Sequence, residues 1–319
     1  MNYGEQKNDV LITGSSGFIG GQLAAKLLND DSVNSLTLLN YTTANKLHAP
    51  HGKLIYQYTG SINNYNLLSS IISEREINIV YHLAANAIVR QCANDPMNAY
   101  YTNVMGTVTL LEACRNVGAH TVKSIVISTS DKAYGHSIAP YDEETPFLPR
   151  FTYDATKSCQ DIVAQNYFHN YGLPIRIIRS SNVYGPNDPN NSRLIPKNIM
   201  NLHNDRPATI YKGVDKYVRE FIFVNDVVDA FIKVGQSGNS GEAYCVGNNA
   251  PISIYDLIET MCKLMDKNPK NFIQIVDVPQ QFKEIECQYM TGEKLKSLGW
   301  NPRWPLIEGL KETIKFYTQ

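Results

Sequence analysis

The chain has 319 residues, 43% of them hydrophobic, with 29 lysines and arginines against 30 aspartates and glutamates. A net charge of -1 without a basic run argues against a nucleic-acid surface, and the even mixture of apolar and polar residues argues against both a membrane chain and disorder. That length gives one large domain, or a domain with a small lobe, ample chain to bury a core. The cysteines (Cys92, Cys114, Cys159, Cys245, Cys262, Cys287) form no C-x-x-C pair, and the opening residues lack the apolar core of a signal peptide, so a reducing cytoplasm is expected. The histidines show no zinc-type spacing, and no metal is expected.

Val10, Leu11 and Ile12 read as a short buried strand. From it Thr13-Gly14-Ser15-Ser16-Gly17-Phe18-Ile19-Gly20 leads into a helix with Leu23, Ala24, Leu27 and Leu28 on one face. Strand, glycine triplet and amphipathic helix in this order form a phosphate-cradling turn. Gly14 permits the tight turn, Gly17 lets backbone approach a pyrophosphate, and Gly20 lets helix and strand pack closely, with Phe18 and Ile19 opening the helix. The second strand, 36–39, ends in Asn40-Tyr41-Thr42-Thr43 without the acid that usually grips an adenosine ribose. Asn40 is expected to replace it with a neutral hydrogen bond, and no arginine stands there for a 2'-phosphate, which favours NAD over NADP. A third strand, 54–58, closes with Gly60-Ser61-Ile62, and a fourth, 79–83, with Ala84-Ala85-Asn86. Ser61, Ile62, Leu83, Ala84 and Ala85 are therefore expected along a cofactor cleft, and His82 is read as a packed core residue. Residues 96–117 read as one long helix with Val104, Val108, Leu111 and Cys114 on a face.

Ile125, Val126 and Ile127 form the central strand, and the polar run Ser128-Thr129-Ser130-Asp131-Lys132 falls where α/β folds put their sites, beyond the carboxyl ends of strands. The loop 135–150 carries Asp142, Glu143 and Glu144, read as a solvated face. Tyr153 and Lys157, four apart, share a helix face. A phenol of pKa ~10 is a poor base at neutral pH, but a neighbouring ammonium and a nicotinamide cation favour its phenolate. Ser130 is placed to bond the same substrate hydroxyl. The sixth strand, 175–180, ends at Ser180.

Asn182-Val183-Tyr184-Gly185-Pro186 opens an irregular stretch to about Arg193 that crosses into a second lobe. Within and beyond it, 194–202 reads as a helix, 219–224 as a strand and 227–234 as a helix returning to the sheet. Ser253 and Asp256 start a helix over 254–265, and 306–317 is amphipathic and assigned to the lobe core. The fold class is α/β: a Rossmann doubly wound parallel sheet with a smaller C-terminal α/β substrate-binding lobe. Residues 1–185 form the NAD-binding domain, to which 220–248 return, while 186–219 and 249–319 make the lobe.

With these residues placed, the chain resembles the extended short-chain dehydrogenase/reductases of the NAD-dependent sugar-nucleotide epimerase/dehydratase family over nearly its whole length. The motifs are Thr13-Gly-x-x-Gly-x-x-Gly20, His82-Leu-Ala-Ala85, Asn103-Val-x-Gly-Thr107, Tyr153-x-x-x-Lys157, Asn182-Val-Tyr-Gly185 and Leu298-Gly-Trp300. Val89-Arg90, Ser130-Asp131-Lys132 and Arg193-Leu-Ile-Pro196 are most similar to CDP-glucose 4,6-dehydratases. The resemblance implies that Tyr153 takes the C4 hydroxyl proton of a nucleotide-linked hexose while the C4 hydride passes to NAD. Lys157 is implied to bind the nicotinamide ribose and lower the tyrosine pKa. Dehydration then needs a base at C5 and an acid for the C6 hydroxyl, and the positions that often hold an Asp-Glu pair hold Asp131 and Lys132. The alternative is that these two simply pair as ions.

Asn103 and Ser180 join the implied cofactor set, and Arg90, Asn182, Arg193 and Arg219 the implied nucleotide-sugar set; arginine suits phosphate because its fork makes two charge-assisted bonds. Cys245 stands where the family usually has asparagine, implying an altered pocket. A homodimer or higher homo-oligomer is implied through helices over 103–117 and 153–171, with Leu110, Leu111, Val163 and Tyr167 compatible with it. The function expected is nucleotide-hexose 4,6-dehydration to a 4-keto-6-deoxy sugar. A 4-epimerase or C4 dehydrogenase, which oxidises C4 without elimination, is the alternative, and a non-catalytic nucleotide sensor the remote one. The nucleotide base stays open.

Overall fold

A computed structural model describes residues 7–42, 53–277 and 284–319. Thr43 and the first six residues, on which part of the reading above rests, lie outside the described residues. The chain begins β1 (Asn8–Thr13), α1 (Phe18–Leu28), β2 (Val33–Asn40), β3 (Leu54–Thr59), α2 (Tyr65–Glu74), β4 (Ile79–His82), α3 (Val89–Asn94) and α4 (Pro96–Tyr100). A π-helical turn, Tyr101–Met105, joins α4 to α5 (Gly106–Val117). After these come β5 (Ser124–Ser130), α6 (Thr152–Tyr171), β6 (Ile175–Ser180), β7 (Asn182–Tyr184), α7 (Leu194–His203), β8 (Ala208–Tyr211), β9 (Val218–Arg219) and β10 (Phe221–Phe223). The remainder is α8 (Val224–Ser237), β11 (Ala243–Val246), β12 (Ile252–Ser253), α9 (Ile254–Leu264), α10 (Pro269–Phe272), β13 (Ile273–Val276), β14 (Cys287–Gln288), α11 (Glu293–Ser297) and α12 (Leu306–Thr318).

The main sheet has seven parallel strands in the order β11-β6-β5-β4-β1-β2-β3. Its winding reverses between β1 and β4, which opens a crevice at their carboxyl ends. β1 and β5 each carry an unbroken apolar run, Val10 to Ile12 and Ile125 to Ile127, because helices cover both faces of the sheet. One apolar cluster joins Leu23, Ala24 and Leu27 of α1 to Phe231 and Val234 of α8; on the other face Leu68, Ile71, Leu110 and Leu111 pack beneath Leu11, Val80 and Ile125. A third cluster, with Ile199, Ile210, Leu257, Ile258, Met261 and Leu310, is the core of the lobe. Ser253 caps α9 by accepting the Asp256 N–H at 3.0 Å.

Several sequence expectations need correction. The helix over 96–117 carries the π turn at Tyr101–Met105, where one extra residue per turn shifts which side chains face the cleft; Tyr101 and Thr102 stand on its wall. The strand expected over 219–224 breaks at Glu220, whose buried carboxylate accepts the N–H groups of Asn248 (2.8 Å), Ala250 (3.1 Å) and Met290 (3.3 Å). Within 249–319, the stretch expected in the lobe, Leu295 and Trp300 are buried with α1 and α8, and Trp300 Nε1 donates to the Asp226 carbonyl at 3.0 Å. Leu110 and Leu111 are fully buried within the chain itself, so they present no surface to a second copy. In the loop 135–150, Glu143 is not a solvated acid but accepts the Cys245 N–H at 2.7 Å.

Candidate active site

The crevice is a cleft of 1100 Å³ running from the glycine turn after β1, past the ends of β4 and β5, to the lobe. Gly14 turns with φ +75°, and a Cβ there would stand 2.7 Å from the Ala84 nitrogen. Gly17 forms cleft wall and, lacking a side chain, leaves the amino end of α1 open to an anion. Phe18, Ile19 and Gly20 line the cleft behind it, as do Ser61, Ile62, Leu83, Ala84 and Ala85 from the ends of β3 and β4. Ser180, closing β6, also lines it, and its buried hydroxyl has no hydrogen-bond partner among the described residues. An open glycine turn followed by a long groove with an unsatisfied hydroxyl fits a dinucleotide.

Two candidates for the cofactor behave differently. Asn40 lines the cleft, yet its side-chain oxygen accepts the Ser15 hydroxyl at 2.9 Å and the Ser16 N–H at 2.6 Å. It therefore ties the end of β2 to the glycine turn. Asn103 is buried away from the cleft wall. Its amide accepts from Asn86 N (2.7 Å) and donates to Asn86 O (3.1 Å) and Thr156 Oγ1 (2.9 Å), so it fastens the loop after β4 to α6. The structure thus gives Asn103 a fastening role, satisfied by protein partners, and does not set its side chain among those lining the cleft.

Tyr153 and Lys157 lie one turn apart on α6, both at the cleft wall and both nearly enclosed. Burial pushes the Tyr153 phenol up; Arg193 pulls it down most, Asp131 and Cys92 push it up, and the neighbouring Ser130 hydroxyl helps lower it. Burial also brings Lys157 down to about 8. Its ammonium donates to Ser128 O at 3.0 Å and to Gln160 Oε1 at 2.8 Å. Gln160 in turn donates to Thr107 Oγ1 at 2.9 Å. Thr107 donates to Asn103 O (2.7 Å), so it must accept from His82 Nε2 (3.0 Å), and His82 Nδ1 then accepts from the Thr13 hydroxyl (2.8 Å). Every group in this chain is satisfied only by a neutral His82 with its proton on Nε2. Burial brings that imidazole down to about 3, in keeping with the assignment. His82 is thus core, linking the glycine turn to the lysine through four hydrogen bonds, and two of the lysine's three protons are committed.

Ser130, Asp131 and Lys132 follow at the end of β5 and line the same cleft. Asp131 is buried; its Oδ1 accepts the Ser130 hydroxyl at 2.9 Å, while Oδ2 has no partner among the described residues. Burial raises its carboxyl to about 6, against the opposing pull of Lys132. Asp131 and Lys132 do not pair with one another. Lys132 reaches Glu284 instead, 2.5 Å from Nζ to Oε1. Sequence reading missed Glu284 because nothing near it in the chain marks it as chemical. It also passed over Asp154, which stands inside the Tyr153-to-Lys157 motif. That carboxyl is buried and raised to about 7 by its burial, with Lys132 opposing and Glu284 and Asp131 reinforcing.

Of the substrate candidates, Arg90 on α3, Asn182 on β7, Arg193 before α7 and Arg219 on β9 all line the cleft. Arg193 donates to Asp188 at 3.0 Å and keeps part of its side chain exposed. The Asn182 amide donates to Glu220 O at 3.0 Å. Arg219 spends much of its fork on the chain itself, on Val218 O (2.8 Å), Glu286 O (3.3 Å) and Ile285 O, so it brings charge to the cleft more than a free bidentate grip. Cys245 is not in the pocket. It is buried with its sulfur 3.1 Å from the Tyr134 hydroxyl, beside a buried Arg179–Asp161 pair. The described cysteines are free thiols, and among the described residues no group of three His, Cys, Asp or Glu is placed to hold a metal and no helix is long and apolar enough to cross a membrane.

The family described as GDP-mannose 4,6 dehydratase matches residues 11–313. The chain is 32% identical over 322 residues to dTDP-D-glucose 4,6-dehydratase of Bos taurus, covering 97% of this chain and 88% of that one. Among solved structures it is similar to dTDP-glucose 4,6-dehydratase from Bacillus anthracis in complex with NAD, with a TM-score of 0.85 and 29% identity over 97% of this chain and 96% of that one. DesIV, the dTDP-glucose 4,6-dehydratase of Streptomyces venezuelae with NAD and TYD bound, aligns with a TM-score of 0.86 and 26% identity, covering 97% and 96%.

Proposed function

The chain belongs to the GDP-mannose 4,6 dehydratase family, and from that membership we propose that it is an NAD-dependent nucleotide-hexose 4,6-dehydratase, producing a 4-keto-6-deoxy sugar nucleotide. The observation that carries the reading is the meeting of Ser130, Asp131 and Lys132 with Tyr153 and Lys157 in one cleft, with an enclosed Asp131 oxygen free to carry a proton. Enzymes that only oxidise C4 need the tyrosine and lysine; a buried carboxyl beside them answers the additional demand of expelling the C6 hydroxyl.

In this reading Gly14, Gly17, Phe18, Ile19 and Gly20 receive the pyrophosphate. Ser61 and Ile62 flank the adenosine end, while Leu83, Ala84, Ala85 and Ser180 border the path to the nicotinamide. Bound NAD supplies the acceptor for the C4 hydride and its donor back to C6. Lys157 offers its uncommitted proton to the nicotinamide ribose. Tyr153, with Ser130 against its phenol, takes the C4 hydroxyl proton. Asp131, which burial keeps prone to protonation, gives a proton to the departing C6 oxygen. Arg90, Asn182, Arg193 and Arg219 hold the nucleotide diphosphate by charge and hydrogen bonds.

We further place the protein in the cytoplasm, on its free thiols and nucleotide-sugar chemistry, and assign it a homo-oligomeric state. Tyr101 and Met105 on the π turn and Ile162 on the neighbouring α6 are all exposed, and apolar side chains on adjoining elements favour burial against a second copy. The deciding experiment incubates the protein and NAD with CDP-, GDP-, UDP- and dTDP-linked hexoses and follows product mass. Loss of one water from one donor supports dehydration and names the base. Loss of two hydrogens with NADH accumulating makes it a C4 dehydrogenase, and unchanged mass with inverted sugar configuration makes it an epimerase.

A further inference from the structure

A base at C5 must present a lone pair at the pH of the cell, and Lys132 is poorly placed to do so. Its Nζ is closed on Glu284 Oε1 at 2.5 Å, with only 12% of its side chain exposed, so the nitrogen is turned to that carboxylate and engaged by it. Glu284 approaches from the segment before β14, 152 residues away in sequence, and lines the same cleft wall as Asp131 and Tyr153. Arg219 stands 3.5 Å from the same oxygen, and the Ile285 N–H donates to it at 3.3 Å. Among the described residues all of these contacts fall on Oε1, which leaves Oε2 to accept a proton. Burial opposes the charge on Glu284, yet Lys132 and Arg219 hold its carboxyl below the usual range; the neighbouring Asp131 and Asp154 are raised to about 6 and about 7. Of the three carboxyls around Lys132, Glu284 is the one in the form a base requires.

We propose that Glu284 is the base that removes the C5 proton, held in place by the Lys132 ammonium, while Asp131 serves as the acid at C6. The inference rests on the dehydratase reading and deepens it. Once C4 is a ketone, the C5–H bond breaks and its proton passes to Glu284. The electron pair forms the C5–C6 double bond as the C6–O bond breaks, and the oxygen takes the Asp131 proton and leaves as water. The hydride removed from C4 returns to C6, and Glu284 gives its proton back to C5. Asp131 is recharged, through solvent, by the proton that Tyr153 took from the C4 hydroxyl, so the net change is loss of one water. Lys132 is a positioning residue in this scheme.

The test compares the wild type, Glu284→Gln, Glu284→Asp and Lys132→Met with NAD and the nucleotide-hexose that the wild type dehydrates, reading product mass, NADH absorbance and deuterium uptake at C5 from D2O. Glu284→Gln is expected to dehydrate about 10²–10⁴-fold more slowly, to lose C5 deuterium uptake, and still to form the 4-keto hexose with NADH. Glu284→Asp keeps the carboxylate and recovers part of the rate, which a lost structural contact would not explain. Dehydration by Glu284→Gln at the wild-type rate, with Lys132→Met inactive, overturns the proposal and returns the base to Lys132. A wild type that converts a nucleotide-hexose without losing water overturns the dehydratase reading itself, a result separate from either variant's behaviour.

Discussion

Lys157 Nζ and Gln160 Oε1 are joined at 2.8 Å within α6, and through this bond the lysine inherits the whole buried chain that leads by Thr107 and His82 to Thr13 at the glycine turn. Gln160→Leu removes an acceptor from an enclosed ammonium and a donor from Thr107. Leaving buried polar groups unpaired costs about 1–3 kcal/mol each. The variant is expected to unfold at lower temperature and to bind NAD more weakly, by calorimetry and by cofactor titration. Unchanged NAD affinity would separate this chain from the cofactor site.

Asn40 makes a different prediction from the one its position first implies. Since its oxygen holds Ser15 and Ser16, Asn40→Ala should loosen the phosphate turn, while Asn40→Asp keeps an acceptor of the same shape. NAD affinity should therefore fall in the alanine variant and survive in the aspartate one. The added charge in Asn40→Asp should also disfavour the 2'-phosphate of NADP, increasing the NAD/NADP affinity ratio. An equal loss in both variants would show that shape at position 40 does not matter to the turn.

Asp154 gives a pH signature. Its carboxyl is raised from its ordinary value to about 7, so between roughly pH 4 and 7 the folded chain binds more protons than the unfolded one and stability falls as pH rises. The penalty is complete above about pH 7 and absent below the unfolded value. Asp154→Asn cannot ionise. The difference in melting temperature, variant minus wild type, should thus be more positive at pH 8 than at pH 4. A difference independent of pH would mean the group titrates normally.

The exposed face of Tyr101, Met105 and Ile162 predicts the oligomer. A charge introduced by Ile162→Glu should not disturb the fold, since the side chain is 55% exposed, but should shift the protein to monomers in light scattering. Leu110→Ala, by contrast, removes packing from a fully buried site and should lower stability by about 2–5 kcal/mol without selectively affecting assembly. A wild type that is monomeric at all concentrations would refute the assignment.

What the sequence determined by itself was local. Val10 to Ile12, the glycine turn and the face of α1 could be read because strand and helix periods and a left-handed turn are properties of a few consecutive residues. Tyr153 and Lys157 share a face for the same reason. The π turn at Tyr101–Met105 escaped because it is defined by which carbonyl each backbone N–H reaches, and side-chain spacing does not record that. Tertiary structure decided which partner each polar side chain found. Lys132 lies next to Asp131 in the chain and bonds Glu284; Asn103 looks like a cofactor ligand and bonds Asn86 and Thr156; Cys245 leaves the pocket for Tyr134. Buried donors and acceptors must be satisfied by whatever sheet register and lobe docking bring within 3 Å or so, and no local spacing encodes that meeting.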